Sequence, residues 1–179
     1  MRSTGDNVAF FKVVINVSNG DWTVPGDLEE IRPLILNGMA QDSLINHELG
    51  LFLFDHPNGR IGNLFPGDPG YAAAALSQPN LQVIVSPGET GNGQRTLNVE
   101  SDRALGWYLI PNGTTEQFLR ENPDNLLGNS PLAFFSIIAA NPNGRDNFWR
   151  LSPNEFAWED LTNDNDIDFN DVMIGIQFG

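Results

Sequence analysis

The sequence predicts an all-β domain, a β-sandwich or jelly roll with two or three short helices. Apolar and polar residues alternate with a period of two in several short segments, which is the pattern of half-buried strands. The 179-residue chain contains 18 glycines and 12 prolines, so turn signals recur at short intervals between these segments. Short strands separated by frequent turns are typical of sandwiches.

The strand predictions rest on runs of β-branched and aromatic residues. Two short helices are predicted: one starts at Asp68 and Pro69, which suit an N-cap and a first helical position, and one starts at Thr114, which forms a capping box with Gln117. Two further helical turns are predicted between residues 27 and 47. The predicted strands are 8–17, 50–54, 81–85, 95–99, 104–110, 132–140, 147–151, 156–159 and 172–178.

Composition indicates one domain, 1–179, and limits its partners. The formal net charge is −14 with only 9 Lys and Arg residues, so we expect no nucleic-acid partner, because phosphate binding needs basic patches. No stretch approaches the roughly 20 apolar residues of a membrane span, so no membrane insertion is expected. The chain has 0 Cys, which excludes disulfides and thiolate metal sites.

The acidity favours an extracellular or cell-surface location. No signal peptide is visible, because the first seven residues are polar and the apolar run 8–17 is interrupted by Lys12 and Asn16. We therefore expect either a trimmed chain or export without an N-terminal signal.

The C-terminal stretch 158–179 contains a dense run of carboxylates. Six acidic side chains fall between positions 159 and 171, amides are interleaved among them, and no Lys or Arg lies within or after the run. Hard divalent cations such as Ca²⁺ take about six to eight oxygen ligands. We predict a calcium site here, the alternatives being a solvated acidic loop or another metal such as Mg²⁺. The candidate ligands are Asp160, Asp164, Asp166, Asp168, Asn170 and Asp171.

The spacing of these ligands restricts the shape of the site. The four alternating ligands in 164–170 would lie about 7 Å apart on a straight strand. Calcium gathers its ligands at about 2.3–2.6 Å, so the chain must curl around one ion or bind two. An EF-hand starting at Asp164 is excluded, because its sixth position is Phe169 instead of Gly and its twelfth is Gly175 instead of Glu. We expect an acidic loop between two strands.

Four segments together resemble a bacterial family known as domain of unknown function family 4114. Their order and spacing also agree, so the resemblance covers about residues 50–179 and leaves 1–49 outside it. The segments are W-E-D-L-T-N-D-N-D-I-D-F-N-D-V (158–172), L-G-W-Y-L-I-P-N-G (105–113), P-L-A-F-F-S (131–136) and L-F-P-G-D-P-G-Y-A-A-A-A-L (64–76).

The resemblance implies a β-sandwich module of secreted or surface bacterial proteins, often beside calcium-dependent adhesion or haemolysin-like repeats. The family usually has Gly at positions matching 163–165, where this chain has Asn-Asp-Asn, so the loop gains one carboxylate and loses flexibility. The family has no assigned activity. The matched acidic positions are Glu159, Asp160, Asp166, Asp168, Asn170 and Asp171.

We therefore expect a calcium-binding module that acts in adhesion or extracellular assembly, with a structural ion and no enzymatic activity. Two alternatives stay open: a calcium-dependent, lectin-like module that binds a surface glycan, and a filament or coat subunit that binds itself through edge strands.

Other side chains are expected to have ordinary structural roles. His47 and His56 are interpreted as surface or turn histidines, and Asp55 as a turn cap. The aromatic side chains are expected in the core, with a sugar-stacking platform as the alternative. These are Trp22, Trp107, Trp149, Trp158, Tyr71 and Tyr108.

Overall fold

The structure, a computed structural model, describes residues 14–16, 21–23, 34–39, 46–79, 81–89, 95–97, 104–152, 155–159 and 172–178. Within these, only the backbone is described for 14–16, 21–23, 34–39, 95–97 and 173–178.

The described residues are mostly strands, joined by two short α-helices and one 3₁₀ helix. The helices are α1 (Tyr71–Leu76), α2 (Thr115–Glu121) and the 3₁₀ helix Ile138–Ala140. The strands are β1 (Val14–Asn16), β2 (Asp21–Thr23), β3 (Leu34–Met39), β4 (Glu48–Phe54), β5 (Gln82–Val85), β6 (Arg95–Leu97), β7 (Ala104–Ile110), β8 (Phe134–Phe135), β9 (Phe148–Ser152), β10 (Glu155–Trp158) and β11 (Val172–Phe178).

The strands form two antiparallel sheets, which confirms the all-β prediction. The first sheet has the order β1-β2-β7-β4-β5, and β8 also pairs with β7. The second has the order β6-β3-β11-β10-β9. All the described pairings are antiparallel.

Two clusters of buried apolar side chains lie on opposite faces of the first sheet. One cluster joins both sheets, because it contains Trp107 of β7 together with Phe156 and Trp158 of β10. The other contains Tyr108 of β7 and side chains of both α-helices. Every residue of β4 and β7 is buried. A strand covered on both faces reads as a continuous apolar run, which is why these two segments are so apolar.

The strand predictions over 104–110 and 172–178 are confirmed. β7 has the predicted bounds, and β11 occupies the predicted segment after the acidic run. α2 is capped as expected, since the Thr114 hydroxyl accepts a hydrogen bond from the Gln117 N–H at 3.1 Å. α1 begins later than predicted, at Tyr71, because Gly70 adopts a left-handed conformation (φ 83°) and takes the N-cap position.

The prediction of one strand over 132–140 is wrong for most of that segment. Only β8 is a strand there, and the chain continues into the 3₁₀ helix. Side chains satisfy the neighbouring backbone groups instead of a second strand: Asn125 exchanges two hydrogen bonds with Ala133, at 2.7 and 2.9 Å. The Asn141 Oδ1 accepts the Phe135 N–H at 2.6 Å. Such side-chain pairing competes with strand ladders.

β3 was missed by the sequence analysis, which placed helical turns on either side of it. The predicted turn within 27–33, the start of the predicted strand 8–17 and the end of the predicted strand 95–99 lie outside the described residues.

We predict that Asn125→Ala destabilises the protein by about 2–4 kcal/mol, because two buried backbone groups of Ala133 lose their partners and alanine tolerates the positive φ of 53° poorly. Urea unfolding followed by tryptophan fluorescence measures this change. Asn129→Ala, in the exposed part of the same loop, is the control, and equal effects of the two substitutions would contradict the role given to Asn125.

Candidate metal centre

The predicted calcium ligands all belong to one connection between paired strands. In the β10–β11 pair, Trp158 lies opposite Val172, so residues 159–171 leave and return to neighbouring positions. Directly opposed residues of antiparallel strands have Cα atoms about 4.5–5.5 Å apart. The predicted strands on both sides are therefore present, while the ligands Asp160, Asp164, Asp166, Asp168, Asn170 and Asp171 lie outside the described residues.

Glu159, the first carboxylate of this connection, is hydrogen-bonded to Asn147, the residue before β9. Its backbone N–H donates to the Asn147 carbonyl at 3.0 Å, and the Asn147 Nδ2 donates to the Glu159 carbonyl at 2.9 Å. These bonds extend the β9–β10 pairing by one position beyond Trp158–Phe148. Glu159 is 4% exposed, so its carboxylate is buried where the acidic connection begins.

The loop before β9, residues 141–147, is held by hydrogen bonds of asparagine side chains. The Asn143 Nδ2 donates to the Asn147 Oδ1 at 3.1 Å, and the Asn141 Nδ2 donates to the Arg145 carbonyl at 2.7 Å. Asparagine side chains thus fix the loop that positions Asn147.

Asp146, in the same loop, carries a partly buried carboxylate. Burial raises the pKa of the Asp146 carboxyl above its usual value, and the Phe148 N–H that it accepts at 3.1 Å opposes this shift. Burial therefore makes the charged form of Asp146 less favourable in the folded protein than in water.

The candidate ligands of this connection would all bind through oxygen atoms of Asp and Asn side chains. The chain has 0 Cys, and both of its histidines lie at positions 47 and 56, far from the acidic run in sequence. Carboxylate and amide oxygens suit a hard cation. Among the residues that the structure describes, no three His, Cys, Asp or Glu side chains come together as a metal-binding group.

The histidines and Asp55 form hydrogen bonds in or beside turns. The His56 Nδ1 accepts the Asn58 N–H at 3.4 Å, and the Asp55 carboxylate accepts the Gly62 N–H at 2.7 Å, which agrees with the predicted turns. His47 is not a surface residue, being 3% exposed. It is buried because its Nδ1 accepts the Asn112 N–H at 3.1 Å, where the turn after β7 meets the start of β4.

Sequence analysis missed a buried carboxylate at Glu48. Its Oε1 accepts hydrogen bonds from the Tyr108 hydroxyl at 3.0 Å, from the Thr115 N–H at 3.1 Å and from the Thr115 hydroxyl. Burial, and then the charge of Glu48, raise the pKa of Tyr108 far above its ordinary value, so the phenol remains a donor. Glu48 occupies an apolar strand and no motif marked it. The network joins β4, β7 and α2.

The tryptophans separate into buried and exposed positions. Trp107 and Trp158 are buried in the cluster that takes side chains from both sheets, as expected. Trp149 on β9 is 52% exposed. The side chain of Trp22 lies outside the described residues.

Comparison with known proteins bears on the part of the chain that contains this site. Residues 99–179 match the family model for a domain of unknown function, DUF4114. The match confirms the resemblance to this family. It includes β7 to β11 and the acidic connection, whereas the resemblance had also included residues 50–98. No curated protein and no solved structure matches the chain. Among the described residues, no helix is both long and apolar enough to cross a membrane.

Proposed function

We propose that this chain is a calcium-binding β-sandwich module of a bacterial secreted or surface protein and acts in adhesion or extracellular assembly. In this proposal the ion is structural, and the module has no enzymatic activity. One observation carries the proposal: the connection that holds six clustered carboxylates begins and ends at the directly paired residues Trp158 and Val172.

Electrostatics explains why such a connection needs a cation. Two carboxylates about 5 Å apart repel each other by about 3 kcal/mol at the effective dielectric of a protein surface. No Lys or Arg follows Arg150 in the sequence, so the chain supplies no nearby basic residue after β9 to offset this repulsion. Calcium held by Asp160, Asp164, Asp166, Asp168, Asn170 and Asp171 would neutralise it.

A structural role follows from where the connection lies. β11 is the third strand of the second sheet and pairs with both β10 and β3. An ion that favours closure of the connection would therefore favour the pairing of β11 with β10. Binding free energy then becomes folding free energy.

The sandwich architecture is also part of this proposal. The cluster that contains Trp107, Phe156 and Trp158 takes buried side chains from both sheets, as expected for two sheets that pack face to face. Calcium would stabilise the end of the second sheet at which Trp158 pairs with Val172.

We predict that calcium raises the thermal midpoint of chelator-treated protein by about 5–10 °C at 100 times its dissociation constant, since such saturation adds about 2.7 kcal/mol. The Asp166→Ala/Asp168→Ala variant should lose this shift, and magnesium should produce a smaller one. Scanning calorimetry measures the midpoints.

The matched control is Glu116→Ala/Glu121→Ala, which removes two exposed carboxylates from α2 and should keep the calcium shift. A calcium shift that survives in the Asp166→Ala/Asp168→Ala variant would place the ion elsewhere, and no shift in the unmodified protein would refute the calcium site.

A lectin-like function is the second candidate, and the exposure of Trp149 favours it. Trp149 and Leu151 lie two residues apart on β9, the last strand in the described order of the second sheet, and both are exposed. An exposed indole offers a flat apolar surface on which a sugar ring can stack.

If the module binds glycans, Trp149→Ala should weaken binding by more than about 1 kcal/mol, as for an aromatic residue at the centre of an interface. A glycan array, followed by calorimetry on the sugars that bind, measures this loss. Leu151→Ala is the control on the same strand. Sugar binding that Trp149→Ala leaves unchanged would exclude this platform, and repeating the array in chelator shows whether binding needs calcium.

A further inference from the structure

Asn147, the residue before β9, contacts both backbone groups of Glu159. Its carbonyl accepts the Glu159 N–H at 3.0 Å, and its Nδ2 donates to the Glu159 carbonyl at 2.9 Å. Both residues are buried, so water competes little for these bonds. The N–H and the carbonyl belong to the peptide units before and after Glu159. One residue of the neighbouring loop therefore fixes both of these units.

The bond to the Glu159 carbonyl orients the entry to the acidic connection. A peptide unit is planar, so this carbonyl lies in one plane with the nitrogen of the next residue. In the sequence that residue is Asp160, the first of the candidate calcium ligands. The side chain of Asn147 therefore sets the direction in which the chain leaves β10 toward those ligands.

A chain of hydrogen bonds fixes the side chain of Asn147 itself. The Asn143 Nδ2 donates to the Asn147 Oδ1 at 3.1 Å, and the Asn143 Oδ1 accepts the Arg145 N–H at 3.1 Å. An amide has one acceptor end and one donor end. Because Asn143 occupies the Oδ1 of Asn147, the Nδ2 faces Glu159. Hydrogen bonds that run in one direction strengthen one another.

An ordered entry raises the affinity of an ion site. Fixing the backbone of a residue costs conformational entropy, and an ion that gathers its ligands from a freer chain must offset this cost when it binds. A chain that Asn147 already holds at Glu159 loses less freedom on binding. Calcium affinity then depends on Asn147, although Asn147 is not among the candidate ligands.

We propose that Asn147, oriented by Asn143, is a positioning residue for the calcium site and raises its affinity by ordering the first residue of the acidic connection before the ion binds. This role rests on the proposed function. It gives the loop before β9 control over calcium affinity through hydrogen bonds alone.

Asn141 provides a matched control in the same loop. It is the same residue type, it is buried, and its side chain also bonds to two backbone groups, those of Phe135 and Arg145. Neither partner belongs to the acidic connection. Asn141→Ala should therefore lower the free energy of unfolding and leave the calcium affinity unchanged.

The test is calorimetric titration of calcium into the full chain after removal of bound metal, combined with urea unfolding in chelator. Asn147→Ala should weaken calcium binding about tenfold, as for the loss of a group that orients a metal ligand. Asn143→Ala removes one neutral hydrogen bond to Asn147 and should weaken calcium binding about two- to threefold. Asn143 is only partly buried, so this variant decides the question if Asn147→Ala does not fold.

A purely structural role predicts a different result: Asn147→Ala and Asn143→Ala would lower the free energy of unfolding and leave calcium affinity unchanged, which would overturn the positioning role. An equal loss of affinity in Asn141→Ala would also overturn it, because the effect would then belong to the whole loop. If the unmodified protein binds no calcium, the proposed function fails and the positioning role fails with it, an outcome distinct from the other two.

Discussion

The pairing of Trp158 with Val172 is the constraint on which the C-terminal half of the structure depends. It brings together the two ends of a connection that carries six carboxylates, and it joins β10 to β11 in the middle of the second sheet. The same strands contribute Phe156, Trp158 and Val172 to the apolar cluster that takes side chains from both sheets. In the proposed function, repulsion within the connection would oppose this packing, and a bound cation would relieve it.

Buried asparagines fix the chain between α2 and β9, where regular strand pairing is scarce. Asn122, Asn125, Asn141 and Asn147 are each buried. The side chains of the first three bond to backbone groups of this region, and that of Asn147 bonds to the Glu159 carbonyl. The last of these bonds holds the first residue of the acidic connection. An amide can donate and accept at once, so one side chain satisfies two buried backbone groups.

The sequence was sufficient for the features that depend on local pattern. Alternation predicted β11, the continuous apolar run predicted β7 with its correct bounds, and Thr114 with Gln117 marked the start of α2. Prediction from the sequence failed where side chains distant along the chain determine the local structure. The apolar segment 132–140 resembles a strand, yet Asn125 and Asn141 take up its backbone groups. Glu48 lies in an apolar run, and only its partners Tyr108 and Thr115, 60 and 67 residues away, explain its burial.

The most direct test of a structural ion is hydrogen–deuterium exchange of the backbone amides in β10 and β11, with and without calcium. If neutralisation of the acidic connection stabilises this pair, calcium should slow exchange of residues 155–158 and 172–178 more than that of β4 and β7. Equal exchange in calcium and in chelator, or protection confined to the connection itself, would contradict the claim that the ion holds the second sheet together.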